Sequence, residues 1–281
     1  MVLNLFKYFS PYYNDELNLS FYTRQAIFFQ NPIRFNDPWD CKAPQISIPR
    51  QINALEEIWY KMNRLNSKEF ADSEWNRIKD LPRPEIQKRF LNFFYNAIDK
   101  QRSKIGVFSL SFVPDSELMW SHYASSHTGY AIHFQIDLAQ SFNEVHPLEF
   151  GVFAPVEYKA KREQWSLHEY YQDREKCAFN LVRHKSKVWN YECELRIINV
   201  QKSGFIKYPQ NWLKSIIIGD NVDPALRKKL YSIGQELNIN TYSASLNPNE
   251  YKIDIHGLGI TYQSGKESYE AALRSEAFKF K

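Results

Sequence analysis

Apolar positions recur along the chain with two different periods. Short runs with every second residue apolar, or continuously apolar, lie at Leu5 to Phe9, Ala26 to Phe29, Val107 to Phe112, Tyr130 to Ile136 and Val152 to Tyr158. Others follow at Glu192 to Val200, Ser215 to Gly219, Asn240 to Ala244 and Tyr251 to Ile255. Each has the length and residue types of a strand. From Gln51 to about Gln101 the spacing changes to three and four: Ile52, Leu55, Ile58, Trp59, Met62 and Leu65, then Ile86, Phe90, Phe93, Phe94 and Ala97. That is the stripe of amphipathic helices, broken at Pro82 and Pro84. Further helices are expected over Ser166 to Lys185 and Pro224 to Leu237, and a short one after the first strand, capped by Asn14 or Asp15.

Strands mixed with clustered helices predict an α+β fold around a mixed, mainly antiparallel sheet, with flanking helices. The reading is one domain over 1–263, with 51–101 as a helical insertion and a polar, peripheral segment over 264–281.

Composition narrows the function. Of 281 residues, 43% are hydrophobic and 24% charged, which excludes a disordered chain. The 36 Lys and Arg against 32 Asp and Glu give +4, too small a surplus for a protein that coats DNA. Nine glycines, with neither GxGxxG nor GxxxxGK[ST], argue against a glycine loop around phosphates. Cys41, Cys177 and Cys193 are odd in number and far apart, as expected of a reducing compartment. No signal peptide opens the chain and no run approaches about 18 apolar residues, so a cytoplasmic protein with no membrane partner is expected.

Three segments carry candidate chemistry. In Glu192-Cys193-Glu194-Leu195-Arg196 a strand would set Glu192, Glu194 and Arg196 on one face, where neighbouring carboxylates raise each other's pKa unless a cation intervenes. An exposed face with Arg196 paired to Glu194 is the plain alternative, although Lys185-Ser186-Lys187-Val188-Trp189 puts cations and rings beside it. In Phe108-Ser109-Leu110-Ser111-Phe112 the two serines share a face. The following Met119-Trp120-Ser121-His122-Tyr123 would place Met119, His122 and Tyr123 on one side of a helix. His122 and His127 stand five apart, a poor match to a helical zinc pair. The third segment is the ring-rich loop Phe35-Asn36-Asp37-Pro38-Trp39-Asp40. Asp37 or Asp40 there can ligate a cation, orient a histidine or brace the turn. Lys159-Ala160-Lys161-Arg162 and Arg183-His184-Lys185 either meet phosphates or are solvated faces.

An early Lys7-Tyr8, the FNDPWD loop, the SLS and LMWSHYASSHTG words and the late WNYECELR word together resemble a large bacterial family of domain-of-unknown-function proteins. The similarity spans roughly residues 5 to 255. It implies a stand-alone protein, in some members tied to phage defence or abortive infection.

The order of a first-strand residue, a Ser-x-Ser strand and a late Glu-x-Glu strand is also similar to the ADP-ribosyltransferase fold. That resemblance implies NAD as the cofactor and a nucleic acid or protein as acceptor. Ser109 and Ser111 would support the nicotinamide ribose. Glu194 would stabilise the charge that develops on the ribose and Glu192 would orient the acceptor, a form of electrostatic catalysis. Lys7 and Tyr8 stand where an Arg or His is expected. Trp120, Tyr123 or Tyr191 would stack on nicotinamide, and His122 would assist turnover.

Two other readings stay open. Asp37, Asp40, Glu192 and Glu194 would bind Mg²⁺ in a nuclease or phosphodiesterase, with Lys185 or Lys187 on the phosphate. A non-enzymatic module would hold single-stranded nucleic acid or a nucleotide signal in a basic, aromatic cleft. A partner protein that controls activity fits any of the three.

Overall fold

The computed structural model describes residues 1–11, 18–139 and 151–279. Its strands, in chain order, are β1 (Val2–Phe9), β2 (Ala26–Phe29), β3 (Gln45–Ser47), β4 (Gly106–Ser111), β5 (Tyr130–Asp137), β6 (Val152–Pro155), β7 (Glu157–Lys159) and β8 (Gln164–Ser166). They continue with β9 (His184–Ser186), β10 (Glu194–Asn199), β11 (Gly204–Lys207), β12 (Leu213–Ile218), β13 (Asn240–Ser243), β14 (Ser245–Leu246) and β15 (Ile253–Asp254). Seven of them form one sheet in the order β13-β12-β5-β1-β4-β10-β6. Every neighbouring pair is antiparallel except β12 with β13, which run parallel. The helix Pro224–Glu236 makes the crossover that a parallel pair requires. The fold is therefore α+β with a mixed, mainly antiparallel sheet.

Register decides what faces what. β1 pairs with β5 along its whole length, from Val2 opposite Asp137 to Phe9 opposite Tyr130. On its other side β1 meets β4 at a single pair, Phe6 opposite Ser111. Beyond that pair the two strands are not bridged, and a cleft is lined by consecutive residues of both. β4 then pairs fully with β10, which puts Glu194 opposite Ser111 and Arg196 opposite Ser109. Antiparallel partners project to the same face, so both acidic and basic groups of β10 stand beside the serines.

The apolar residues form two large clusters. One covers the sheet and includes Leu5, Phe108, Phe134, Leu195 and Ile217, with Leu230 and Ile233 from the crossover helix. The other is built by the helices Ile52–Met62, Lys68–Ile78 and Arg83–Arg102, whose Leu55, Trp59, Trp75, Phe90 and Phe94 meet Trp165, Tyr170 and Leu181. The segment 51–101 thus packs on partners more than sixty residues further along the chain. Leu65 and Phe93, although in register with the stripe, are exposed: the first helix ends at Asn63 before Leu65 is reached.

Local chemistry moved several boundaries. The helix expected over Ser166 to Lys185 is two, Leu167–Gln172 and Arg174–Arg183. Asp173 leaves helical geometry and its carboxylate accepts from the Lys176 N–H to cap the second. The following residues form β9, parallel to β7. The late strand begins at Glu194 rather than Glu192, because Lys187–Glu192 is a 3₁₀ turn closed by Cys193 at φ 42°. The early helix is Ser20–Thr23, and the expected caps Asn14 and Asp15 lie outside the described residues. The C-terminal stretch is not peripheral. Its helix Tyr262–Arg274 and the turn after it put Tyr269, Ala272 and Phe278 into the sheet cluster. Gly265 makes this docking possible, since a Cβ there would lie 2.3 Å from the Phe112 carbonyl oxygen.

Candidate functional site

The cleft between β1 and β4 has a volume of 350 Å³ and brings together residues from many separate parts of the chain. Lys7 and Tyr8 come from β1, Arg34, Phe35, Asn36 and Asp40 from the aromatic loop, and Ser109 and Ser111 from β4. Tyr123 comes from the helix Glu117–Tyr123, and Lys185, Glu192, Glu194 and Arg196 from β9, the 3₁₀ turn and β10. Phe6, Phe28, Phe35 and Phe108 supply apolar wall.

An ion cluster forms one side. Arg196, fully buried, holds Asp40 with two parallel bonds, Nη1 to Oδ1 at 2.9 Å and Nη2 to Oδ2 at 2.6 Å. Its Nε donates to Glu194 Oε1 at 2.8 Å and its Nη1 also to the Val182 carbonyl at 2.8 Å. This is the fork geometry that only a guanidinium offers. Lys185 Nζ lies 2.5 Å from Glu192 Oε2, 3.1 Å from Glu194 Oε2 and 3.7 Å from Asp40 Oδ2. Tyr123 completes the chain by donating its hydroxyl to Glu192 Oε1 at 2.6 Å. Three carboxylates and two cations are thus buried together, an expensive arrangement in a low-dielectric interior unless every charge is paired.

The two glutamates are driven apart in acidity. Burial pushes the Glu192 carboxyl up and the charge of Glu194 adds to it, outweighing Lys185 and Tyr123, so that Glu192 titrates at about 7. Burial acts the same way on Glu194, but Arg196 and Lys185 win there and hold it well below the usual carboxylate range. The Lys185 ammonium is held charged by Glu194 and Glu192 against its own burial. Lys7 differs. It has no ion pair or hydrogen bond among the described residues, its Nζ lies 5.4 Å from the centre of the Phe108 ring, and burial lowers its pKa.

Backbone geometry assembles this cluster. Cys193 takes the left-handed conformation between the two glutamates, at φ 42°, and Cys41 takes it directly after Asp40, at φ 53°. Left-handed backbone is uncommon for residues with a side chain and costs energy that the surroundings must supply. Strand alternation therefore does not bring Glu192 beside Glu194. A turn does, with Ser111 donating its hydroxyl to the Glu192 carbonyl at 2.6 Å to fix it. Tyr158 accepts from the Glu194 N–H at 3.0 Å.

Of the residues singled out in the sequence, the cleft collects Lys7, Tyr8, Asp40, Ser109, Ser111, Tyr123, Lys185, Glu192, Glu194 and Arg196. Others lie elsewhere, among them Lys187 and Tyr191, which sit on the 3₁₀ turn outside the cleft lining. Trp120 is completely buried, with its indole N–H donating to the Pro114 carbonyl and its ring edge-on to Tyr8, so it cannot stack on a ligand. His122 is exposed and lies near Tyr191, outside the cleft lining, because the apolar side of its short helix is taken by Met119 and Trp120. Asp37 braces its turn by accepting from the Trp39 N–H at 2.9 Å. Tyr8 lines the cleft with its hydroxyl committed to the Val113 carbonyl. Arg196 is buried in the ion cluster, not on a solvated face. Gln30, Arg34 and Tyr158 were missed, and only the unusual ring content of the loop pointed toward the second of them.

Lys185 also occupies the space between Asp40, Glu192 and Glu194 that a Mg²⁺ ion would have to take. Among the described residues no His, Cys, Asp or Glu cluster has the form of a metal site. No helix there is long and apolar enough to cross a membrane. Cys41, Cys177 and Cys193 are free and buried.

Residues 119–197 match the model of a family described as a protein of unknown function, DUF2971. The matched stretch contains Tyr123, Lys185, Glu192, Glu194 and Arg196, the larger part of the ion cluster. No curated protein and no solved structure matches the chain.

Proposed function

We propose that the protein is an ADP-ribosyltransferase-like enzyme, working in the cytoplasm, that cleaves the nicotinamide–ribose bond of NAD and passes the ADP-ribosyl group to a macromolecule. The observation that carries this reading is a buried pair of glutamates with unequal partners. Glu194 is held by both Arg196 and Lys185, which keep it ionised, while Glu192 has Lys185 and the Tyr123 hydroxyl and is pushed up by burial and by the charge of Glu194. A pair of carboxyl groups whose environments separate their acidities is the arrangement acid–base chemistry near neutral pH needs.

In this reading nicotinamide leaves with the electron pair of the C–N bond, and positive charge builds on the ribose. Glu194, negative before the reaction starts, stabilises that charge without reorganising. Glu192 takes the proton from the acceptor's hydroxyl or N–H as the new bond to the ribose carbon forms. Ser109, on the neighbouring strand, helps to hold the Glu194 carboxyl in its ionised form. The cleft volume of 350 Å³ suits the nicotinamide–riboside end of the dinucleotide. The diphosphate then meets Lys7 and Arg34, Lys7 acting as a point charge where a guanidinium would act as a fork. This reading is favoured over Mg²⁺-dependent nuclease chemistry because the latter must first displace Lys185 from among the carboxylates.

The test is calorimetric titration with NAD, with ATP and Mg²⁺ as controls, together with assay of released nicotinamide. Saturable NAD binding that weakens in Lys7→Ala, and nicotinamide release that fails in Glu192→Gln, are expected. Mg²⁺ binding with no response to NAD would replace this proposal with the nuclease, and no response to either would end both.

A further inference from the structure

The loop that carries Asp40 into the ion cluster places its neighbour Trp39 at a second cleft, of 280 Å³, which shares only Lys185 with the first. Trp39 is 55% exposed, unusual for an indole with this much cation around it. The Lys42 ammonium lies 5.1 Å from the centre of its ring and the Arg162 guanidinium 5.0 Å. Arg162 is fixed there, since its Nη2 donates to the carbonyls of Lys42 and Ala43 at 3.0 and 2.6 Å.

The charges around this cleft are unevenly spent. Lys159 is paired to Glu157 at 2.7 Å, and Lys185 is committed to the ion cluster. Glu163, the acidic residue in the lining, is occupied by His184 at 3.0 Å and by the Trp165 indole N–H at 2.9 Å. Lys42, Lys161 and Arg162 are exposed and have no carboxylate partner among the described residues. An open indole in a concavity, flanked by three uncompensated cations, matches a ligand that alternates flat rings with phosphates. A double helix hides its base faces, and an acidic peptide would leave the indole unused.

We propose that this second cleft binds single-stranded nucleic acid, with a base stacked on Trp39 and phosphates on Lys42, Lys161 and Arg162. Aromatic stacking and a basic groove are the two terms that hold single strands without reading their sequence. The proposal goes beyond the NAD reading and does not depend on it, because binding is measured with no NAD present.

The experiment is fluorescence anisotropy of the full chain with a labelled single-stranded oligonucleotide of about 12 residues, in deoxy and ribo forms. Three phosphate contacts predict a log–log salt slope of about −2, reduced by about 0.7 in Lys42→Ala. Trp39→Ala should weaken binding about 5- to 150-fold, while Trp39→Phe keeps most of it. Unchanged melting temperatures check that the exposed indole is not a folding residue. Three results would overturn the proposal: equal affinity for a duplex, no loss in Trp39→Ala, or a mononucleotide that binds as tightly as the strand.

Discussion

The helices of 52–102 bury Trp59, Trp75, Phe90 and Phe94 against one another, and their ion pairs, such as Lys61 with Glu57 and Arg77 with Glu74, stay on the partly exposed surface. The cleft of the sheet is equally rich in rings, yet it buries Asp40, Lys185, Glu192, Glu194 and Arg196 side by side. The helical cluster needs only apolar surface to form. The cleft accepts the desolvation of five charges, and a protein gains little stability from such a cluster relative to apolar residues of the same volume. The difference is the reason the proposed chemistry is assigned to the cleft.

The largest effects break this comparison directly. Arg196→Ala should destabilise the fold by about 3–5 kcal/mol, because it strands Asp40 and Glu194 as unpaired buried charges. Phe90→Ala should cost a similar amount, about 3–5 kcal/mol, through a cavity. Urea unfolding at several pH values tells them apart. Glu194 has a depressed pKa, so the stability it contributes is present above the ordinary value of 4.5 and is lost as pH falls below it. The cost of Arg196→Ala should therefore shrink in acid, and that of Phe90→Ala should not. Equal pH dependence of the two would remove the distinction between the regions.

Next in size is turnover. Glu192→Gln should lower it by about 10²–10⁴-fold, the range for loss of a general base. Its effect on stability should have the opposite sign to that of Glu194. The folded state holds the Glu192 proton up to about 7, whereas the unfolded chain releases it near 4.5, so ionising it costs stability as pH rises between those values. The wild type should lose stability across that window, and Glu192→Gln should lose less. A variant with full turnover would leave Glu192 a structural residue.

Trp120→Ala tests the assignment of that ring to the core and should cost about 3–5 kcal/mol, read by thermal or urea unfolding. A neutral result would return it to the ligand. Smallest is His122→Ala, which should stay within about 0.5 kcal/mol and leave turnover unchanged, as for an exposed side chain outside the cleft.

The helical stripe was the most legible part of the sequence, since Leu55, Ile58, Trp59, Phe90 and Phe94 repeat with the helix period and are all buried. The strands were legible for the same reason, and with them the mixed sheet. Ser109, Ser111, Glu192, Glu194 and Lys185 could be singled out by residue type. Their assembly could not, because it depends on a left-handed residue at Cys193 and on a bidentate contact between Asp40 and Arg196, 156 positions apart. Period two predicted Glu192 and Glu194 on one strand face, and a 3₁₀ turn reached a similar end by another route. Trp120 and His122 were misplaced because a seven-residue helix has room to bury only one narrow side. Phe278 was misplaced because a polar tail can still deliver one apolar anchor.

The central claim, one glutamate held ionised beside one that titrates near neutrality, is tested most directly by carbon NMR of the glutamate carboxyl groups as a function of pH. One signal, absent from Glu192→Gln, should titrate at about 7, and a second, that of Glu194, should remain ionised well below 4.5. Two glutamates that both titrate with ordinary midpoints would contradict the account.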